Sequence, residues 1–468
     1  MAVTERVTGA PAHDWVRKTL YGLLFVVVLP LFLMLFSATV EIPIRLAAVP
    51  IPGAVLAVLG CAVMVWGTLD IWRRGEGLPM NAFPPEKLVT GGIYGVVPHP
   101  IYSGFVFACL GASLALGSAT GVFLTTPLVA LGAIALVLGY ERPYLLRTFG
   151  ELPRPILGFS NLSAPIVSGL RLDRLWTGIL GSTERLANSW SSSRIGPARV
   201  INHAVFAGVA GGVGAFLVVL MAGAIHIGSV SALMMAGVIG AAIVGQMLVG
   251  SSNGLSRPFG YFGGLLGVAL AGVVLYPFDR SMLLVLTAFC FAGPWTQALG
   301  RLRCIVQGCC HGAPSCSDPG IVVDNEHSRV ALAGLSGQRI YPTQLYSILG
   351  NLCTGAVLVW LWSIGAPLTL IGGLYLVLAG VVRFIEEGYR GEPCTKILAG
   401  LHVYQWFSVG MLVAGLLVML IRSSNAPPLT ASALLPALAI GLAFFAVCGF
   451  AMCVDFPESQ RRFSRLSG

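Results

Sequence analysis

The chain has 468 residues, 56% of them apolar and 10% charged, against roughly 45–50% and about 25% in an ordinary soluble domain. That composition excludes a soluble globular enzyme. The apolar residues fall in runs of about 20, the length of helix that crosses a bilayer, so the expected fold is an all-α polytopic membrane protein. The net charge of +9, from 28 Lys and Arg against 19 Asp and Glu, is spread over short loops. It reads as orientation and contact with anionic lipid rather than nucleic-acid binding.

Glu5, Arg6 and Asp14 surround the start of the chain and no small-residue cleavage pattern follows the first apolar run, so the first helix is expected to stay in place. Apolar runs lie near 20–38, 47–70, 101–118 and 121–140, the last two joined by Gly117, Ser118, Ala119 and Thr120 as a tight hairpin. Residues 141–200 carry Arg142, Arg147, Arg154, Arg171, Arg174, Arg185 and Arg194 with Pro and Ser. They read as a linker with one amphipathic surface helix near Leu170 to Leu180. A second block supplies runs near 201–224, 230–249, 260–278, 282–299, 343–364, 367–385, 402–421 and 433–453, about twelve transmembrane helices in all, in two modules. The expected division is a four-helix module at 1–155, an Arg-rich linker at 156–198, a membrane domain at 199–425, and an extra helix with a basic tail at 426–468. Counting spans from a cytoplasmic N-terminus gathers the basic loops on one side, as the positive-inside rule favours. The small residues from Ala207 to Ala215 permit close helix approach.

In the first block, Gly91-Gly92-Ile93-Tyr94-Gly95-Val96-Val97-Pro98-His99-Pro100-Ile101-Tyr102 opens a helix, and Glu141-Arg142 with Leu145, Phe149 and Gly150 follows the hairpin. Read plainly, His99-Pro100 is a helix N-terminus, where proline fits the first turn, and Glu141-Arg142 are interfacial charges. The same spacing, over about residues 45–155, resembles the integral-membrane methyltransferases typified by isoprenylcysteine carboxyl methyltransferase and the phospholipid N-methyltransferases. The resemblance implies S-adenosylmethionine as cofactor, contacted by His99 and Tyr102, with Glu141 facing its amino group or the acceptor.

The second block places charges beside spans, where insertion costs roughly 2.5–3.5 kcal/mol each, so they suggest function. Pro294-Trp295-Thr296-Gln297 leads to Gly300-Arg301-Leu302-Arg303-Cys304 and on to Gly308-Cys309-Cys310-His311-Gly312. Then come Tyr341-Pro342-Thr343-Gln344-Leu345-Tyr346 and Arg383-Phe384-Ile385-Glu386-Glu387-Gly388-Tyr389-Arg390. Arg383 and Glu387, like Glu386 and Arg390, are four apart and can meet on one helix face. With Phe262-Gly263-Gly264-Leu265-Leu266-Gly267 before them and Gly400 to Gln405 after, this order over about residues 200–425 is similar to the prolipoprotein diacylglyceryl transferase family.

That resemblance implies transfer of a diacylglyceryl group from phosphatidylglycerol to a cysteine thiol of a lipoprotein precursor or related acceptor, in the cytoplasmic membrane and without a cofactor. Guanidinium groups suit a departing glycerol phosphate. Arg301, Arg383 and Glu387 are the expected catalytic residues, and Gly263, Gly264, Tyr341, Gln344, Tyr346 and Arg390 the expected substrate contacts. Glu387 either fixes Arg383 or receives the thiol proton. Because Phe262 stands at the family's His, the base is left open, with His311 and His402 as substitutes. The plain reading of the charges is structural ion pairs and interfacial anchors.

The family works on the outer membrane face, whereas the span count places residues 301–342 inside, so the side stays open. Cys61, Cys109, Cys290, Cys353, Cys448 and Cys453 sit in apolar runs as small hydrophobes. Cys304, Cys309, Cys310, His311 and Cys316 offer metal ligands or a disulfide, but no paired C-x-x-C occurs. Free thiols and no metal are the expectation. Two other functions compete: methyl transfer to a lipid or lipidated thiol by the first block, and a non-catalytic lipid-binding membrane protein.

Overall fold

The structure, a computed structural model, describes residues 11–42, 44–76, 87–149, 172–249, 260–315, 320–391 and 397–459. Among them, nine helices are long and apolar enough to span a membrane and three shorter apolar helices accompany them, twelve as the hydropathy runs predict. The chain divides into two compact units, Met1–Ile134 with Tyr144–Val167, and Ala135–Pro143 with Ser168–Gly468.

The first unit contains α1 (Lys18–Thr39) and α2 (Pro50–Arg74), α3 (Pro100–Ala115) and most of α4 (Gly121–Leu146). Gly53, Gly60 and Gly67 recur every seven residues and form one stripe along α2. A Cβ at Gly60 would fall 2.5 Å from Ala108 N and from Gly104 O, while one at Gly67 would meet the Pro100 ring at 3.0 Å. Without side chains there, the two backbones touch, which replaces the hydrophobic drive that lipid removes. Thr120 Oγ1 donates to Val40 O at 2.6 Å, tying the α3–α4 hairpin to the end of α1. The outer faces show side chains such as Val26 and Ile51, as lipid-facing helices do.

The second unit opens with α5 (Leu172–Ala187), the amphipathic helix expected near Leu170 to Leu180. It extends to Ala187 because its apolar face is covered: Leu180, Leu186 and Ala187 pack with Leu302, Ile305, Ile321, Val330 and Ile340. Then come β1 (Ser192–Ile195) and β2 (Ala198–Ile201), α6 (Val205–Ala222), α7 (Ile227–Val249), α8 (Tyr261–Leu275) and α9 (Met282–Gln307). Strands β3 (Ile321–Val322) and β4 (Arg339–Ile340) pair antiparallel in the following loop. Helices α10 (Thr343–Ser363) and α11 (Leu368–Gly388) lead to β5 (Ile397–Leu398) and β6 (Leu401–His402), paired antiparallel. Helices α12 (Val403–Met419) and α13 (Leu434–Cys453) follow, and β7 (Val454–Asp455) ends the unit.

Strand β7 pairs with β2, and Arg199 grips the buried Asp455 with two hydrogen bonds of 2.9 and 2.7 Å, joining the last element of this unit to a strand that precedes α6. Helix α11 is its centre: buried side chains or glycines occupy most of its positions from Leu368 to Glu387. The Gly/Ala run predicted to allow close approach does so, with Gly212 of α6 against Gly441 and Phe445 of α13.

Candidate functional site

Three helix ends meet in the second unit. Helix α9 brings Arg301 in its last two turns, α10 brings Gln344, Tyr346 and Ser347 in its first turns, and α11 brings Arg383, Glu386 and Glu387 in its last. The next chain segment, laced back by Ala313 N donating to Tyr389 O at 2.9 Å and Gly391 N donating to His311 O at 3.0 Å, carries Arg390.

The charges form one continuous chain. Arg301 Nη2 donates to Glu386 Oε2 at 2.9 Å and its Nε to Ser347 Oγ at 3.0 Å. Arg383 splits its two ends, Nη1 to Glu386 Oε1 and Nη2 to Glu387 Oε2, each at 2.7 Å. Arg390 Nη1 reaches Glu387 Oε2 at 3.3 Å, and its Nε lies 3.8 Å from Glu386 Oε1. Glu386 is 1% exposed. Three guanidiniums thus share two carboxylates. Isolated, any of these ions would be too costly to bury; shared hydrogen bonds make the group tolerable. Arg383 Nε has no hydrogen-bond partner, and the guanidinium lies 5.2 Å from the Tyr404 ring and 5.8 Å from that of Phe262. Aromatic faces therefore wall the site where the sequence reading sought a histidine.

The other expected contacts divide. Tyr341 and Tyr346 flank Tyr389, with ring centroids 5.2 and 6.2 Å from it. Burial raises the Tyr389 hydroxyl above its ordinary pKa, against the opposing pull of Arg142. Gln344 Nε2 donates to Cys309 O at 2.9 Å, and its Oε1 is buried without a partner. Gly263 faces α7, where a Cβ would meet Val244 Cβ at 2.6 Å, and Gly264 has Gly237 O and Ala241 at ordinary contact distance. Both serve the α7–α8 contact. The two candidate histidines are engaged: His311 Nδ1 lies 3.0 Å from Gly312 O, and His402 caps α12 in a box with Gln405. Glu386, Ser347 and Tyr404 were not singled out as site residues from sequence. The i,i+4 spacing to Arg390 pointed to Glu386, but its bond to Arg301 joins different helices and has no sequence signal.

An apolar cavity of about 590 Å³ opens between α6, α9 and α10, lined by Val213, Leu217, Phe291, Trp295, Leu302 and Ile348 among others. Leu302 and Ile348 are the chain neighbours of Arg301 and Ser347. A polar group of charges and an apolar cavity that have α9 and α10 in common suit an amphiphile.

Residues 195–421 match the model of the family described as prolipoprotein diacylglyceryl transferase. Residues 49–152 match that of phospholipid methyltransferase. Both resemblances seen in the sequence therefore hold. Among curated relatives, the phosphatidylglycerol–prolipoprotein diacylglyceryl transferase 2 of Clostridium perfringens is 28% identical over 157 residues, covering 33% of this chain and 57% of the relative. The enzyme of Clostridium tetani is 27% identical over 166 residues, 35% of this chain and 64% of its own. That of Idiomarina loihiensis is 31% identical over 91 residues, 19% and 34%. The chain spans about three fifths of the length of the two clostridial relatives.

The residues expected to hold S-adenosylmethionine are split between the units. His99 and Tyr102 stand in the first, their ring centroids 6.2 Å apart, whereas Glu141 belongs to the second. His99 is the N-cap of α3 with φ +51°, a left-handed conformation uncommon outside glycine. The loop before it hangs on Asp70, 6% exposed, whose Oδ2 accepts from Ile93 N at 2.8 Å. Asp70 was missed in the sequence because an aspartate near a span end looks interfacial.

Proposed function

We propose that the second unit transfers a diacylglyceryl group from phosphatidylglycerol to a cysteine thiol of a lipoprotein precursor or related acceptor, in the cytoplasmic membrane. The observation that carries this reading is the convergence of Arg301, Arg383 and Arg390 on Glu386 and Glu387, beside a cavity suited to acyl chains. In the reaction a carbon–sulfur bond forms at the glyceryl carbon, the carbon–oxygen bond to phosphate breaks, and glycerol phosphate leaves with the electron pair. The thiol proton passes to a base. The clustered guanidiniums, with Arg383 Nε left without a hydrogen-bond partner, favour an entering phosphate. The catalytic set is Arg301, Arg383 and Glu387; Tyr341, Gln344, Tyr346 and Arg390 surround the head group. Expression in cells depleted of their own enzyme, followed by mass spectrometry of a lipoprotein peptide, tests it. A diacylglyceryl adduct that disappears in Arg383→Ala is expected. Good expression without an adduct overturns the reading in favour of non-catalytic lipid binding.

A second reading has its own support in the family match of residues 49–152: the first unit binds S-adenosylmethionine for methyl transfer to a lipid or lipidated thiol. The α3 N-terminus offers amide donors suited to a carboxylate, with the His99 and Tyr102 rings beside it; the cofactor would supply the methyl group. Calorimetry on the full chain tests it. Heat of binding that vanishes in His99→Ala is expected, and no binding by the unsubstituted protein removes the reading.

A further inference from the structure

Cys304, Cys309 and Cys310 hold their three sulfur atoms within 4.8 Å of one another, although four residues separate the first two. The turn after α9 achieves this with two left-handed residues, Gly308 at φ +72° and Cys310 at φ +59°. The second is not a glycine, so its conformation is imposed by the surroundings. The backbone there is pinned from α10: Thr343 Oγ1 donates to Cys310 O at 2.7 Å and Gln344 Nε2 to Cys309 O at 2.9 Å. With their carbonyls held that way, the two residues return their thiols over Cys304. All three cysteines are free.

We propose that Cys304, Cys309 and Cys310 form a three-thiolate site for one soft divalent cation of the zinc class, with a fourth position open to an incoming thiol. Thiolate sulfurs select soft or borderline ions, and three protein ligands with a vacant position mark a site that takes a further ligand. Among the described residues, no other His, Cys, Asp or Glu joins the three, and Cys304 and Cys310 keep partial exposure. Three thiolates around a divalent ion leave the complex with one net negative charge. Cys310 lies within electrostatic reach of Arg301 and Arg390. A thiol entering the fourth position gives up its proton to solvent and is held as a thiolate. That this thiol belongs to the lipid acceptor rests on the transfer reading above; capture of the metal does not.

The test uses the full chain, reduced and handled without oxygen in detergent, with cobalt(II) and zinc(II) as probe ions. One cobalt per chain with intense sulfur-to-metal charge-transfer absorption is expected, weakened more than about a hundredfold in affinity by Cys304→Ser, Cys309→Ser or Cys310→Ser. Zinc should protect the same three thiols of the unsubstituted protein from maleimide, a readout independent of how the variants fold. N-acetylcysteine should shift the cobalt spectrum and N-acetylserine should not. Unprotected alkylation in excess zinc, or a disulfide among the three in freshly prepared protein, overturns the site. A spectrum indifferent to N-acetylcysteine overturns its open position. Metal capture without lipid transfer would count against the transfer reading alone, and transfer by a chain that takes no metal against the metal site alone.

Discussion

Glu386 is where the candidate site is most sensitive to a single residue. It answers Arg301 and Arg383 at 2.9 and 2.7 Å, and removing it leaves buried guanidiniums facing each other. Removal of one partner from a buried ion group costs about 3–5 kcal/mol, so Glu386→Ala is expected to lower thermal unfolding in detergent steeply, more than Arg301→Ala, which still leaves two guanidiniums on the two carboxylates. Equal losses would show that Arg301 and Glu386 depend on each other alone. Arg383→Lys tests geometry rather than charge. An ammonium cannot serve two carboxylates and present a third edge in the way a planar guanidinium does. Diacylglyceryl transfer should therefore fall at least about tenfold, a barrier change near 1.4 kcal/mol, with the adduct again read by mass spectrometry.

Among the elements, the crossing of α2 and α3 has no slack. Gly60→Leu would drive a side chain into the backbone of Gly104 and Ala108, and overpacking of this kind costs typically about 1–3 kcal/mol; Gly132→Leu on α4, where nothing lies within 4 Å, should be near neutral in the same unfolding measurement. In the second unit, the π-helical turn Val137–Glu141 leaves Gly139 O to accept from Gln405 Nε2 at 2.9 Å. A widened turn frees a carbonyl that a regular helix would occupy. Gln405 also accepts from His402 N at 3.1 Å through Oε1 and donates to Phe384 O at 3.3 Å. Gln405→Leu is expected to destabilise by about 1–3 kcal/mol through unsatisfied buried groups, while Gln405→Glu, which retains only the acceptor, should be intermediate or worse.

For the molecule as a whole, the placement of α5 fixes one relation that charge counting cannot. Glu184 Oε2 accepts from Val322 N at 2.9 Å, and Asn188 Oδ1 accepts from Asp324 N at 2.8 Å. The amphipathic helix and the loop between α9 and α10 therefore lie on the same side of the membrane, whichever side that is. Cysteines introduced at Ser182 and Gln338 should react with a membrane-impermeant maleimide from the same face of sealed vesicles, above the level of the unsubstituted protein. Labelling of one from outside and the other only after lysis would contradict this arrangement. It also agrees with the four spans, α6 to α9, that separate the two segments.

Hydropathy alone determined the polytopic helical class and the number of apolar helices, because a bilayer demands a fixed length of apolar helix for each crossing and little else competes with that signal. The same is true of the pairings within α11: Arg383 with Glu387 follows from 3.6 residues per turn. The order of motifs carried both family resemblances, since arginine and glutamate beside spans are too costly to persist by accident. What only the tertiary structure decided is everything that joins separate elements. Arg301 meets Glu386 from another helix, and Gly263 turns to α7. His402 serves as a helix cap, α5 buries its apolar face on the loop beside α9, and three thiols unevenly spaced in sequence come together at one turn. These depend on which helix faces which, and helix packing in a membrane is set by shape and small-residue contacts that no periodicity of the chain records.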